Sequence, residues 1–85
     1  MSLGNDDYRY KELADFLKIR RQKISPSQVG LPTTERRRTP GLRREEVAQL
    51  SGIGLTWYTW LEQGRPIHVS TSIIESLSRV LLLDA

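Results

Sequence analysis

The chain has 85 residues, a net charge of +3 from 13 basic and 10 acidic side chains, and no cysteine. This length predicts one domain, and a sequence without cysteine excludes disulfides and thiolate-bound metals. A single histidine, His68, cannot hold a metal alone, so we expect neither a metal nor a cofactor. The longest apolar run, residues 80–83, is far shorter than the roughly 20 residues of a membrane span, and residues 1–7 are too polar and acidic for a secretory signal. We therefore expect a cytoplasmic protein that does not contact a membrane.

The first predicted helix spans residues 8–23. Apolar side chains and one arginine recur there at steps of three and four residues, which places them on one face of a helix. We expect this face to be buried, and we expect residues 1–7 to be disordered or to derive from an expression tag. The residues of the predicted buried face are Leu13, Phe16, Leu17, Arg21 and Ile24.

A short turn and a long loop are predicted next. Ser25 as a cap, Pro26 at the first helical position and Gln28 three residues after the cap predict a single turn that ends near Gly30. Residues 31–41 follow as a loop with two prolines and three consecutive arginines. This loop is longer than most connections in compact domains, which indicates a role beyond linking helices.

Two short helices joined by a glycine-containing turn are predicted over residues 42–64. The first spans residues 43–51 and the second residues 55–63, and such a pair defines a helix-turn-helix. Gly52 is expected to adopt a positive φ in the turn, and Ala48 is small enough for the second helix to cross close to it. The predicted inward residues are Val47, Ala48, Leu50, Ile53, Tyr58 and Leu61, and the predicted outward residues are Leu55, Thr56, Thr59 and Trp60.

The last predicted helix begins near residues 70–72 and completes a domain expected to span residues 8–85. Four helices without an alternating strand pattern predict an all-α fold. The apolar stripe of this helix consists of Ile73, Leu77, Val80 and Leu81.

Positive charge is concentrated between Lys18 and Arg44, where nine basic residues stand against a single acidic residue, Glu35. A local excess of this size attracts phosphate backbones. The alternative is a solvated basic surface without a partner, and charge alone does not separate the two. Within this stretch the three adjacent arginines of the loop are candidates for phosphate or minor-groove contact. They are Arg36, Arg37 and Arg38.

Similarity to a known family is concentrated in the predicted helix-turn-helix. The chain resembles the Xre-type, phage-repressor-like family over Arg43-Arg44-Glu45-Glu46-Val47-Ala48-Gln49-Leu50-Ser51-Gly52-Ile53 and over Leu61-Glu62-Gln63-Gly64. Over residues 36–48, 56–65 and 69–70 it resembles, more particularly, the bacterial MmyB-like regulators. The resemblance implies a lambda-repressor-like domain of four to five helices that binds double-stranded DNA.

The resemblance also implies roles for individual residues. In such repressors the second helix of the pair lies in the major groove, and the start of the first helix contacts a phosphate. An arginine late in the first helix of the domain pairs with a buried glutamate near the end of the recognition helix. Arg65, just past that helix, is a further phosphate candidate. The base-reading positions fall on Leu55, Thr56, Thr59 and Trp60, the phosphate-contacting positions on Arg43 and Arg44, and the structural ion pair on Arg21 and Glu62.

The sequence departs from the family pattern at the start of the recognition helix. Gly54 stands where relatives have Ser or Thr, and Leu55 stands where they read bases with Gln, Asn or Arg. Leu55 can contact a thymine methyl but cannot make a bidentate hydrogen bond, so the operator cannot be inferred from relatives. Trp60 remains open between the core and the DNA surface.

Relatives of this kind commonly add a fifth helix and a C-terminal sensor domain with a PAS-like fold. We therefore expect the native chain to continue beyond residue 85, with any small-molecule ligand bound by that absent domain. Dimerisation on a two-part operator is a further expectation from the resemblance.

The leading hypothesis is a transcriptional regulator that binds DNA, and no arrangement of nucleophile and base supports catalysis. Two alternatives remain. A protein-interaction module on the same scaffold, similar to some coactivators or antitoxins, predicts an apolar patch around Leu55 and Trp60 and no affinity for DNA. The targeting domain of a larger enzyme predicts catalytic residues beyond Ala85.

Overall fold

The computed structural model describes residues 3–32 and 38–82, with side chains from residue 8 onward. Within these ranges the chain forms four α-helices and a short 3-10 turn and has no strand, which confirms the predicted all-α fold. Among the residues described, no helix combines the length and the apolar character needed to cross a bilayer. The helices are α1 (Leu3–Lys23), α2 (Arg44–Ser51), α3 (Leu55–Glu62) and α4 (Thr71–Val80), and the 3-10 turn is Pro26–Val29.

Helix α1 begins earlier than predicted. Residues 3–7, which we expected to be disordered or tag-derived, continue the helix to Leu3. The predicted start at Tyr8 came from apolar periodicity, and the polar residues before it carry no such signal.

The buried face of α1 differs from the predicted one. Ala14, Leu17 and Ile24 are almost fully buried, whereas Leu13 and Phe16 are exposed. The prediction is therefore wrong for Leu13 and Phe16. Ala14 lies on the buried face because the end of α3 packs there, and the backbone of Gly64 comes close to this small side chain.

The core collects side chains from every helix. Leu50, predicted to be buried, is exposed at the edge of the domain, and Ser51 takes the inward position in its place. Ile53 and Trp57 are half-buried and pack against the cluster. The fully enclosed cluster consists of Leu17, Ile24, Leu42, Val47, Ala48, Tyr58, Leu61, Leu77 and Leu81.

The segment that leads into α2 crosses the C-terminal end of α1 at very short range. The backbone N–H of Leu42 donates to the carbonyl of Arg21 at 3.1 Å. A β-carbon added to Gly41 would lie 2.3 Å from the carbonyl oxygen of Gln22, closer than real atoms approach. Only glycine fits at position 41, because any β-carbon would clash with the backbone of Gln22. The sequence did not predict this role.

Arg20 joins the C-terminal ends of α1 and α4. Its Nε donates to the carbonyl of Leu81 at 2.8 Å, and a terminal nitrogen donates to the carbonyl of Leu82 at 2.9 Å. Both carbonyls lie past the last turn of α4, where they have no partner within the helix. Leu82 has a positive φ of 56°, an unfavourable conformation for a residue with a β-carbon. The two hydrogen bonds stabilise the backbone in this conformation.

We expect Arg20→Ala to lower the free energy of unfolding by about 1–3 kcal/mol, since hydrogen bonds from a charged donor contribute more than neutral ones. Chemical denaturation followed by circular dichroism measures this change. Arg9→Ala removes the same charge from an exposed position on the same helix and should cost less than about 0.5 kcal/mol. Equal costs for the two variants would contradict the role of Arg20.

Candidate nucleic-acid interface

Helices α2 and α3 are joined by a three-residue turn, residues 52–54. Gly52 has the predicted positive φ, 72°, and its N–H donates to the carbonyl of Gln49 at 3.2 Å. The next N–H, from Ile53, donates to the carbonyl of Ala48 at 3.0 Å, which ends α2. The buried Ala48 lets α3 cross close to α2. This arrangement confirms the predicted helix-turn-helix.

The outward face of α3 is accessible at its first turn. Leu55 is 48% exposed, and Thr56 is also exposed. Thr59 and Trp60, one turn later, are half-buried. The hydroxyl of Thr59 donates to the carbonyl of Leu55 at 2.8 Å, so its proton is already engaged. An approaching molecule therefore meets Leu55 and Thr56 first and the partly covered Thr59 and Trp60 beyond them.

Arg65 covers part of the Trp60 ring. Its guanidinium carbon lies 5.1 Å from the ring centroid, within the range of a cation–π contact. Its Nε donates to the side-chain carbonyl of Gln63 at 3.1 Å. The exposed Arg65 is thereby held over the C-terminal end of α3, and it interrupts the apolar patch that an interaction module would present around Leu55 and Trp60.

Further cations lie at the start of α2. Arg43 is exposed, and its backbone N–H donates to a carboxylate oxygen of Glu46 at 2.7 Å. The Arg44 side chain is 44% exposed. Arg38 is exposed on the segment before α2, whereas Arg36 and Arg37 lie outside the described residues. Exposed cations therefore precede the first turn of α3 along the chain, at Arg38 and Arg43, and follow it at Arg65.

Glu62 ties three helices together. Its side chain is fully buried, and its two carboxylate oxygens accept from Arg21 at 2.6 and 2.9 Å in a bidentate pair. The implied Arg21–Glu62 ion pair is present in the structure. Arg44, from the start of α2, adds a third bond from its Nε at 3.0 Å. Arg21 also donates to the carbonyl of Leu42 at 2.9 Å.

The charges in this network stabilise one another. Burial by itself would raise the pKa of Glu62, but hydrogen bonds from Arg21 and Arg44, together with the nearby Tyr58 hydroxyl, outweigh burial and hold the pKa below its ordinary value. The hydrogen bond to Glu62 raises the pKa of Arg21. Burial raises the pKa of Tyr58, which stays neutral. Glu62 is therefore a shielded carboxylate that is ionised at neutral pH and accepts hydrogen bonds from both arginines.

Sequence reasoning missed the second partner of Glu62. It assigned Arg44 to phosphate contact alone, because arginine at the start of α2 carries no local signal for a contact with the end of α3. The structure brings Arg44, Arg21 and Glu62 together, whereas the Arg43 side chain is exposed.

The comparisons with known proteins agree with this geometry. A family model described as a helix-turn-helix domain matches residues 12–85. No curated protein and no solved structure matched the chain.

Proposed function

Because the chain belongs to the helix-turn-helix domain family, we propose that it is the DNA-binding domain of a transcriptional regulator, with α3 in the major groove. One observation carries the proposal. The first turn of α3 exposes Leu55 and Thr56, with cations before it at the start of α2 and after it at Arg65. A single module of this size should bury roughly 600–1,000 Å² of its surface on DNA.

In this proposal the outward residues of α3 select the sequence. Leu55 packs against thymine methyl groups, and Thr56 hydrogen-bonds a base edge. Thr59 offers its methyl group or its remaining acceptor capacity, since its proton is engaged with the Leu55 carbonyl. Trp60, covered in part by Arg65, packs on sugars or methyl groups at the rim.

The cations supply affinity by neutralising phosphates. Arg43 and Arg38 are exposed and are the most direct candidates. Arg44 donates to Glu62 through Nε, and among the described residues no bond of its terminal nitrogens is seen, so we assign these nitrogens to a phosphate. Arg65 adds a contact past α3. Arg36 and Arg37 are proposed to contribute with Arg38, as the sequence suggests.

The subgroup of the protein, its further domain and its oligomeric state are also proposals. The resemblance to the Xre-type family and its MmyB-like subgroup supports a bacterial regulator that acts in the cytoplasm. It also supports a sensor domain beyond residue 85, which would bind the effector, and a dimer on the operator.

The salt dependence of DNA binding tests the phosphate contacts. We expect Arg43→Ala to weaken binding to all duplexes alike and to reduce the log–log salt slope by about 0.9, since each neutralised phosphate releases about one counterion. Arg43 is a cleaner target than Arg44, whose removal also disturbs Glu62. Arg79→Ala deletes the same charge from the exposed side of α4 and should leave the slope unchanged. Fluorescence anisotropy with labelled duplexes over a series of salt concentrations measures both.

The outcomes separate the proposal from its alternative. If the wild-type chain has no affinity for any duplex at low ionic strength, DNA binding is wrong and the protein-interaction module takes its place. If Arg43→Ala and Arg79→Ala change the slope equally, the start of α2 does not lie on the phosphate backbone. If the proposal holds, oligonucleotides selected by Thr56→Ala should differ in sequence from those selected by the wild type, and the salt slope should be unchanged.

A further inference from the structure

Helix α1 carries a second apolar surface that faces away from the core. Phe16 is 50% and Ile19 is 53% exposed, and their spacing of three residues places them side by side on the helix. Glu12 and Lys23, both exposed, extend the same line along the helix. We call these four residues, Glu12, Phe16, Ile19 and Lys23, the outer stripe.

The spacing of the outer stripe is that of a helix-pairing surface. Its members follow one another at steps of four, three and four residues, the spacing that forms the seam between two helices in a coiled coil. Apolar side chains occupy the two central positions of this seam, and opposite charges occupy its two ends.

The outer stripe lies opposite the part of α1 that packs in the domain. Each residue advances an α-helix by about 100°, so Ile19 lies about 160° around the helix from Leu17, and Phe16 the same angle from Ala14. Leu17 and Ala14 are buried in the core. The outer stripe is therefore accessible without any change in the fold.

We propose that two copies of this chain associate through antiparallel pairing of their α1 helices. In the register that brings Phe16 opposite Ile19 of the second copy, two-fold symmetry also brings Glu12 opposite Lys23 of the second copy. Each of these contacts occurs twice, as a two-fold interface requires. The stripe is thus complementary to itself in both its apolar and its charged positions.

The charges are compatible with this register. Within one chain Glu12 and Lys23 are eleven residues apart, about 16 Å along the helix, and cannot pair with each other. A register shifted by three residues towards the N-terminus would place Arg9 opposite Lys23 of the second copy, which like charges disfavour. The proposed register instead pairs opposite charges at both ends of the Phe16–Ile19 centre.

The interface is small, and the dimer is accordingly weak. The paired helices overlap over residues 12–23, a length of about 18 Å, which is less than a standard protein interface provides. We expect association at protein concentrations of about 100 μM and above. The proposal does not depend on DNA binding, and its test contains no DNA.

Sedimentation equilibrium from about 10 μM to about 1 mM tests the proposal. Ile19→Asp should weaken self-association by at least about tenfold, because it places two buried charges beside Phe16. Ile74→Asp introduces the same change at a matched site, 52% exposed on α4, and should have no effect. Circular dichroism verifies that both variants keep the helical content of the wild type.

Charge-reversal variants test the register and show whether a second copy of the chain binds the outer stripe. Glu12→Lys and Lys23→Glu should each weaken self-association several-fold, since each turns two attractions into two repulsions. Mixed in equal amounts, the two variants should pair with each other as well as the wild type does, because both charged contacts are restored between unlike chains. A wild-type chain that stays monomeric at every concentration overturns the proposal. So does a dimer that Ile19→Asp leaves intact, or a mixture of the charge variants that associates no better than each alone.

Discussion

Replacing Glu62 by alanine should lower the free energy of unfolding by about 3–5 kcal/mol, because it leaves two arginines without their shared carboxylate. Arg21 is largely buried beside Glu62, so its charge cannot recover full hydration. Arg44 is more exposed and should lose less. A loss of this size approaches the whole stability of a small domain. Much of the variant should therefore be unfolded at room temperature, as urea denaturation followed by circular dichroism would show.

A matched control variant and a double-mutant cycle separate the effect of breaking the ion pair from the effect of removing a side chain. Glu45→Ala removes an exposed carboxylate from the first turn of α2 and should cost less than about 1 kcal/mol. The double variant Arg21→Ala with Glu62→Ala should cost clearly less than the sum of its parts, since residues in one network are coupled. Additive costs would show that Glu62 matters for its packing and not for its charge.

The pH dependence of stability gives an independent reading of Glu62. The pKa of Glu62 is lowered in the folded state. Its contribution to the free energy of unfolding is therefore fully present above the unfolded-state pKa of about 4.3. This contribution is lost as the pH falls through the lower folded-state pKa. The wild type should therefore lose stability on acidification below about pH 4.3. Glu62→Gln cannot titrate and should lack this component, so its stability should fall less steeply over the same range.

Gly41→Ala should cost about 3 kcal/mol, at the upper end of the usual penalty for forcing atoms into a packed site. The added methyl group would meet three backbone atoms of Gln22, the nearest at 2.3 Å, and none of them is the end of a flexible side chain. The backbone must move, and the Leu42–Arg21 hydrogen bond beside it should weaken. Hydrogen exchange of the Leu42 amide measures this local effect alongside the global loss.

Gly54→Ser is the matched control for this clash. A β-carbon on Gly54 meets nothing within 4 Å, and its φ of −70° suits any residue. The hydroxyl can also cap α3, where serine is slightly better than glycine. We expect an unchanged or slightly higher stability. Should Gly41→Ala behave like Gly54→Ser, the close crossing of α1 would not exist in solution.

The parts of the fold that local sequence encodes were predictable. The helix-turn-helix follows from two short helices and a glycine that must adopt a positive φ, and Gly52 does so. The short turn after α1 follows from Ser25 and Gln28, and the backbone N–H of Ser25 donates to the side chain of Gln28 at 2.7 Å. These signals act over four or five residues and need no knowledge of the remaining chain.

The parts that depend on contacts between distant residues were not predictable. Apolar residues repeat on two faces of α1, and periodicity cannot tell which one meets α3. Phe16 was consequently assigned to the wrong face. The partners of Arg20 and Arg44 lie 61 and 18 residues away in sequence, and an arginine looks the same whether it binds a carbonyl, a carboxylate or a phosphate. The same limit applies to the site, where exposure of Leu55 and Thr56 was foreseeable and the engaged proton of Thr59 was not.

The end of α4 is connected to α3 through two neighbouring residues of α1. Arg20 donates to the carbonyls of Leu81 and Leu82, and Leu82 has a positive φ of 56°. The next residue, Arg21, pairs with Glu62 at the end of α3. A change in the backbone after α4 would therefore act on α1 directly beside the residue that anchors the outward-facing helix.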